Sequence, residues 1–411
     1  MVAPRNVVIL SDFAHVAGGA EKVALVSARA LARRGHEVVL FSAIGPIAEE
    51  LKGVPGLTVH CLEQQPFFKS SGRLRAAAKV FWNAEARAAL GAVLETLDPA
   101  QSLVHAHSYL KLLSSSTLDL ALKRGFRCAL TLHDYGIACP QQNFYDHSSG
   151  TICHRKPLGW ACTTTQCTPR SYPVKAGLLL RGWIQQRLAR LPARLDAYLS
   201  VSEFSHDVLR PYLPASTPVI PVRNPVELER GERVAAEANA RFTFVGRLTT
   251  EKSPELLAKA ATLAGASALF VGDGEQRAAI ETACPGAEIT GWIPSEDVAG
   301  HTRSARAVCV TSKWYEAAPL VVFDALSQGI PLVVSDACAA QEFVEEGVTG
   351  LLFRSGDAEH LADRLRTLQD DSLVERMSRA AYDRFWADPP TVDAHIDELL
   401  AAYAQIMARA K

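Results

Sequence analysis

Short apolar runs alternate with stretches of helical period along nearly the whole chain. "NVVIL" (6–10) has the continuous apolar character of a buried strand. "AEKVALVSARALARRG" (20–35) follows with Val23, Val26 and Ala30 on one helical face. Glu21 stands in its first turn, Arg33 and Arg34 in its last, and Gly35 at its stop. Further strand-like runs occupy 36–43, 102–108, 127–134 and 197–203. A Pro-rich stretch at 218–227 reads as a crossover. The alternation then resumes with runs at 241–248, 267–274, 287–293, 307–313, 330–337 and 349–355, and alanine-rich helices close the chain over 358–411.

Strands alternating with helices predict doubly wound parallel sheets. Two such series predict two Rossmann-like α/β domains facing across a cleft, with ligands beyond the carboxyl ends of the strands. The expected division is 1–222, 223–390 and a final helix over 391–411 that returns to the first domain. A chain of 411 residues is too long for one ordinary core, which supports that division. No apolar stretch approaches the roughly 20 residues of a membrane span. The opening "MVAPRNVVILSDF" lacks the long apolar stretch of a secretion signal, so a cytoplasmic location is expected.

The net charge of −1 conceals an asymmetry. Residues 1–222 hold 24 Lys and Arg against 15 Asp and Glu; the remainder holds 19 against 29. The basic half suits an anionic partner such as a phosphorylated substrate or a membrane leaflet. Two basic segments stand out, "FFKSSGRLRAAAKVFW" (67–82) and the run from Arg170 to Leu195, neither containing an acid. Both could lie on an anionic leaflet as amphipathic helices, or pack on the domain with snorkelling arginines.

Candidate chemistry concentrates at two strand ends. "FVGRLTTEKSPELL" (244–257) places Gly246, Arg247 and Lys252 after a strand and before a helix that Ser253 could cap, with Pro254 at its first position. A guanidinium fork and a point cation there suit a diphosphate. "KWYEAAPLVVFDALSQG" (313–329) predicts a short helix from Pro319 to Gln328, with Glu316 in the loop before it and Asp324 just over one turn inside. Two carboxylates flanking free N–H groups have the spacing to hold hydroxyls and phosphate of one sugar nucleotide.

"GRLTTEK" followed by "EAAPLVVFD" and "GIPLVVSD" resembles the retaining glycosyltransferases of family 4, which have the GT-B fold. The resemblance extends through "GGAEK" (18–22), "GHEVVLFS" (35–42), "TLHD" (131–134), "SVSE" (200–203), "VGDG" (271–274) and "EEGVTGLLF" (345–353). It implies that Arg247 and Lys252 bind the donor diphosphate and that Glu316 contacts donor sugar hydroxyls. It places Asp324 where the family has a ribose-binding Glu, and His133 on the sugar. Gly18, Gly19, Gly246, Pro319 and Leu320 would line the donor site, with the backbone near Trp292 and Ile293 at the nucleobase. It also implies a UDP- or GDP-linked sugar donor, a glycan or lipid-linked acceptor, and no nucleic-acid partner. No catalytic metal is expected: the chain has no Asp-x-Asp. Two departures stand out. Asp324 is one methylene shorter than the family residue, and "ACAAQE" (337–342) replaces a family Gly-Gly.

Cys139, Cys153, Cys162 and Cys167 crowd one insertion, 139–167, next to the acceptor side. Structural zinc, disulfides and free thiols are the readings open to them. A dinucleotide-dependent oxidoreductase also has two α/β domains, but "GDGEQR" (272–277) lacks the third glycine of its fingerprint. A sugar-nucleotide-binding homologue without activity is a third reading, resting on Asp324.

Overall fold

The computed structural model describes residues 3–65 and 78–409. The basic segment 67–82 therefore lies outside the described residues, except for its last five positions. The first sheet has seven parallel strands: β1 (Asn6–Phe13), β2 (Glu37–Ile44), β3 (Leu57–Cys61), β4 (Ser102–Ala106), β5 (Arg127–Thr131), β8 (Ala197–Ser200) and β9 (Val219–Pro221). Their order is β3-β2-β1-β4-β5-β8-β9. Between β5 and β8 the cysteine-bearing insertion carries a small antiparallel pair, β6 (Tyr145–Asp146) and β7 (Thr151–Ile152).

The second sheet is built from β10 (Arg241–Val245), β11 (Ser267–Val271), β12 (Glu288–Ile289), β13 (Ala305–Val310), β14 (Leu332–Ser335) and β15 (Gly350–Phe353), in the order β12-β11-β10-β13-β14-β15. In each sheet the first strand is central and the winding reverses beside it, between β1 and β4 and between β10 and β13. Crevices at such reversals are where open parallel sheets bind ligands.

Helices cover both faces of each sheet, which explains the unbroken apolar runs. Val7, Val8, Ile9 and Leu10 of β1 are all fully buried. The expected pair of doubly wound domains is thus what the chain forms. Two details differ from expectation. "LTVHC" (57–61) forms an edge strand that its polar residues disguise. The supposed crossover contains β9, paired to β8 with Tyr198 opposite Val219. An edge strand tolerates prolines because its outer N–H groups need no partner.

The last helix, Val392–Ala408, packs on the first sheet rather than the second. Ile396, Leu399, Tyr403 and Ile406, at helical spacing, share a core with Val7, Ile9, Ala24 and Leu25. Two buried polar contacts fix its position. His395 Nε2 lies 2.8 Å from Ser27 Oγ, and Tyr403 Oη lies 2.7 Å from His105 Nδ1. No helix among the described residues is long and apolar enough to cross a membrane.

Candidate active site

The second domain contributes two loops at its strand tips. Gly246 and Gly272 both have φ of +142°. A Cβ on Gly272 would stand 2.0 Å from the Gly246 carbonyl oxygen, so the turns after β10 and β11 can touch only without a side chain there. The loop 246–253 is then fastened to the loop after β13. Thr311 Oγ1 donates to Lys252 O at 2.8 Å, and Lys313 N donates to Glu251 O at 3.0 Å.

This lacing brings Lys252 Nζ to 2.7 Å from Glu316 Oε1, while Ser312 Oγ donates to Oε2 at 2.6 Å. Burial pushes the Glu316 carboxyl upward. The Lys252 charge and hydrogen bond and the Ser312 hydroxyl outweigh it, leaving the group below its ordinary range. Lys252 and Glu316 side chains are 18% and 13% exposed, whereas Arg247 is 72% exposed. The acid nearest Arg247 is Glu251 at 3.9 Å, so its fork is open to the cleft. Ser253 does not cap the next helix as expected. It sits at a φ of +52° and donates to Glu255 Oε1 at 3.0 Å.

The helix after Glu316 runs Val321–Ser327, two residues later at its start than expected. Pro319 and Leu320 precede it, their carbonyls accepting from Val322 N and Phe323 N. Leu320 is a point of contact between domains: a Cβ on Gly19 would stand 3.6 Å from Leu320 Cδ1. Asp324 is half-buried in this seam. Burial raises its carboxyl, and Lys22 of the first domain partly offsets the rise. Among the described residues nothing donates a hydrogen bond to its side chain. Trp292 is 79% exposed, and a backbone bridge from Gly291 to Gly272 sets it beside the β11 turn.

The first domain supplies a polar cavity of about 180 Å³, lined among others by Gly19, Glu21, His107, Lys111, His133 and Asp134. His133 follows β5, and its Nε2 lies 2.9 Å from His107 Nδ1. Burial pushes the His133 imidazole down to about 3, so the ring is neutral near pH 7. His107 Nε2 is buried with no protein partner. Glu21 is 4% exposed; Ser108 Oγ donates to it at 3.2 Å, and Lys111 Nζ stands 3.6 Å away. Gly18 makes room for this carboxylate, since a Cβ there would meet Glu21 Oε2 at 3.2 Å.

Glu21, His107 and Lys111 escaped the sequence reading. Glu21 has the look of an ordinary first-turn acid. The alternation of His105 and His107 at a strand end was the available signal.

Among the described residues no group of three or more His, Cys, Asp or Glu side chains is disposed to hold a metal ion. All four cysteines of the insertion are free thiols. The Lys175 ammonium stands against two of them, Cys162 and Cys167, and a cation there opposes a second cation. Of the cations from Arg170 to Leu195, Lys175 and Arg181 point inward and are buried. Arg181 donates to Leu110 O at 3.1 Å and Pro140 O at 3.0 Å.

Two facing parallel-sheet domains with a cationic strand-tip loop on one side and a polar cavity on the other define a GT-B protein. Residues 17–230 match the family described as Glycosyltransferase Family 4, and residues 226–384 match Glycosyl transferases group 1. The first match covers just over half of the chain, which belongs to glycosyltransferase family 4. A GDP-mannose-dependent alpha-mannosyltransferase of Mycobacterium tuberculosis is 32% identical over 171 residues, 40% of this chain and 43% of that protein. The sulfoquinovosyl transferase SQD2 of Arabidopsis thaliana is 35% identical over 133 residues, 31% of this chain and 26% of that protein. These matches span less than half the length of the curated relatives. Among solved structures, a sucrose-phosphate synthase of Thermosynechococcus elongatus superposes with a TM-score of 0.72 at 19% identity, covering 99% of this chain and 100% of that one. Anabaena HepE with UDP and glucose gives 0.65 at 16%, covering 98% and 100%. At these identities the likeness is one of fold.

Proposed function

We propose that the protein transfers a sugar from a nucleoside-diphosphate sugar to a glycan or lipid-linked acceptor, with retention at the anomeric carbon. The observation that carries this reading is the Lys252–Glu316 pair beside the open Arg247, across the cleft from the His133 cavity. The donor diphosphate lies along Arg247 and Lys252, whose charges stabilise the leaving group as its negative charge develops. Glu316 keeps lone pairs free beyond those used by Lys252 and Ser312, and these accept from donor sugar hydroxyls. Neutral His133 meets the sugar from the other side. The acceptor attacks from the face that the diphosphate leaves. Trp292 and Ile293 flank the base.

Both UDP and GDP donors occur by name among the relatives and fold neighbours, so the two are tested side by side. The experiment is nucleotide release from UDP- and GDP-sugars by the native protein and by Arg247→Ala; release that survives that change sinks the assignment.

Asp324 holds the ribose in this reading; burial raises its carboxyl, and no described residue donates a hydrogen bond to it. Losing a charge-assisted hydrogen bond costs roughly 1.5–3 kcal/mol. Asp324→Asn is therefore expected to weaken nucleoside-diphosphate binding by about 10- to 150-fold. Calorimetry with the ribo and 2′-deoxy nucleotides reads this directly. Equal affinities throughout would remove Asp324 from the ribose site.

The acceptor side is expected to meet an anionic membrane surface. Trp160, Tyr172, Leu180, Trp183 and Leu188 are large, exposed apolar side chains near one another in sequence, with Arg187 and Arg190 exposed beside them. Trp183→Ser with Leu188→Ser is expected to lower co-sedimentation with phosphatidylglycerol vesicles several-fold; unchanged sedimentation would discard this surface.

A further inference from the structure

The catalytic reading leaves a buried amine nucleophile unused. Lys175 lies near the start of the helix Tyr172–Trp183 and is 1% exposed. A buried lysine ammonium ordinarily needs a carboxylate, yet among the described residues no acid pairs with it. Its Nζ sits instead 2.8 Å from Cys167 Sγ and 4.0 Å from Cys162 Sγ. Those cysteines are 6% and 8% exposed. Even to an oxygen, smaller than sulfur, N–H donors approach only to about 2.7–3.2 Å. Nitrogen and this sulfur are thus held closer than an ordinary hydrogen bond would bring them.

We propose that Lys175 and Cys167 are a modification site, joined on oxidation by dioxygen through a single bridging oxygen as an N–O–S cross-link. The S–H bond and one N–H bond break, and S–O and O–N bonds form. Sulfur and nitrogen together give four electrons to dioxygen. Its second oxygen leaves as water with the two hydrogens. The thiolate–ammonium form of the pair gives the same products. Burial admits dioxygen more readily than a bulky reducing protein, which favours persistence of the link once made.

The link would staple the cysteine-bearing insertion to the helix behind it. Cys167 O accepts from His147 N at 3.0 Å, and at the insertion's other end Gln142 Nε2 donates to Asp134 Oδ2 at 3.2 Å, next to His133. Arg181, two turns further along the helix, holds Leu110 and Pro140. Oxidation therefore braces one wall of the cavity.

Peptide mapping of the native protein tests this without any variant. Arg170 separates the two residues, so trypsin divides them unless they are linked. After exposure to dioxygen, the expected product is a joined pair of peptides carrying one extra oxygen and two fewer hydrogens, lost on treatment with dithiothreitol. Cys162→Ser should retain it; Lys175→Arg and Cys167→Ser should lose it. Separate, unmodified peptides after prolonged dioxygen exposure would overturn the proposal. So would a Cys162–Cys167 disulfide in place of the link, or stoichiometric zinc on these thiols by elemental analysis.

Discussion

Replacing Lys252 by alanine is expected to lower turnover by about 2–4 kcal/mol of transition-state stabilisation, roughly 30- to 1,000-fold. The ammonium is fixed before the donor arrives by Glu316 at 2.7 Å and by the tie from Thr311 to the Lys252 carbonyl. It needs little reorganisation when charge develops on the leaving diphosphate. Arg247→Ala should act in the same direction, more through donor affinity, because that side chain is 72% exposed. Lys252→Ala also leaves Glu316 buried without its cation, so stability must be followed in parallel. A Glu316→Gln, Lys252→Ala double variant that regains the native melting temperature while staying inactive would show that lost stability is not the cause of lost turnover. Native turnover in both single variants would remove these residues from the mechanism.

Acid is expected to loosen the first domain and its returning helix steeply. His105, His107 and His395 are 0%, 4% and 3% exposed. Burial holds all three imidazoles below their ordinary value; for His395 the Arg223 carbonyl offsets part of the effect. The folded values lie below the unfolded ones, so the unfolded chain binds more protons below about pH 6.5. Stability therefore falls as pH falls through that window. Each such histidine contributes a slope of about 1.4 kcal/mol per pH unit, and three acting together approach 4. Against a total of roughly 5–15 kcal/mol, this predicts loss of the fold within a few pH units. His105 and His395 are also the groups that hold Tyr403 and Ser27, so the helix Val392–Ala408 should exchange its amides first. Urea midpoints measured from pH 7 to pH 5 check the slope; a flat profile would show that these rings are not buried neutral.

The sequence made the sheets legible because strands buried on both faces, such as β1, write unbroken apolar runs. It hid β3 and β9 because edge strands carry polar residues and prolines without penalty. Arg247 and Lys252 could be picked out because a glycine turn ends the strand before them, and Glu316 because it is an acid in the loop before a short apolar helix. The pairing of Lys252 with Glu316 could not, since it depends on how the loops after β10 and β13 are tied together. The first-domain cavity was harder still: Glu21 comes from the first helix and His107 and Lys111 from the loop after β4, two segments each with an ordinary local pattern. The surroundings of the cysteine cluster were not legible, because spacing alone does not show that a lysine eight residues beyond Cys167 turns inward to meet it.

The central claim is that this cleft turns over a nucleotide sugar using the cationic loop of the second domain. Nucleoside-diphosphate release from a panel of UDP- and GDP-sugars, with native protein and Lys252→Ala side by side, tests it most directly. At least one donor should be turned over by the native protein, with release falling 30-fold or more in the variant. No release from any donor, or equal release from both proteins, would contradict it.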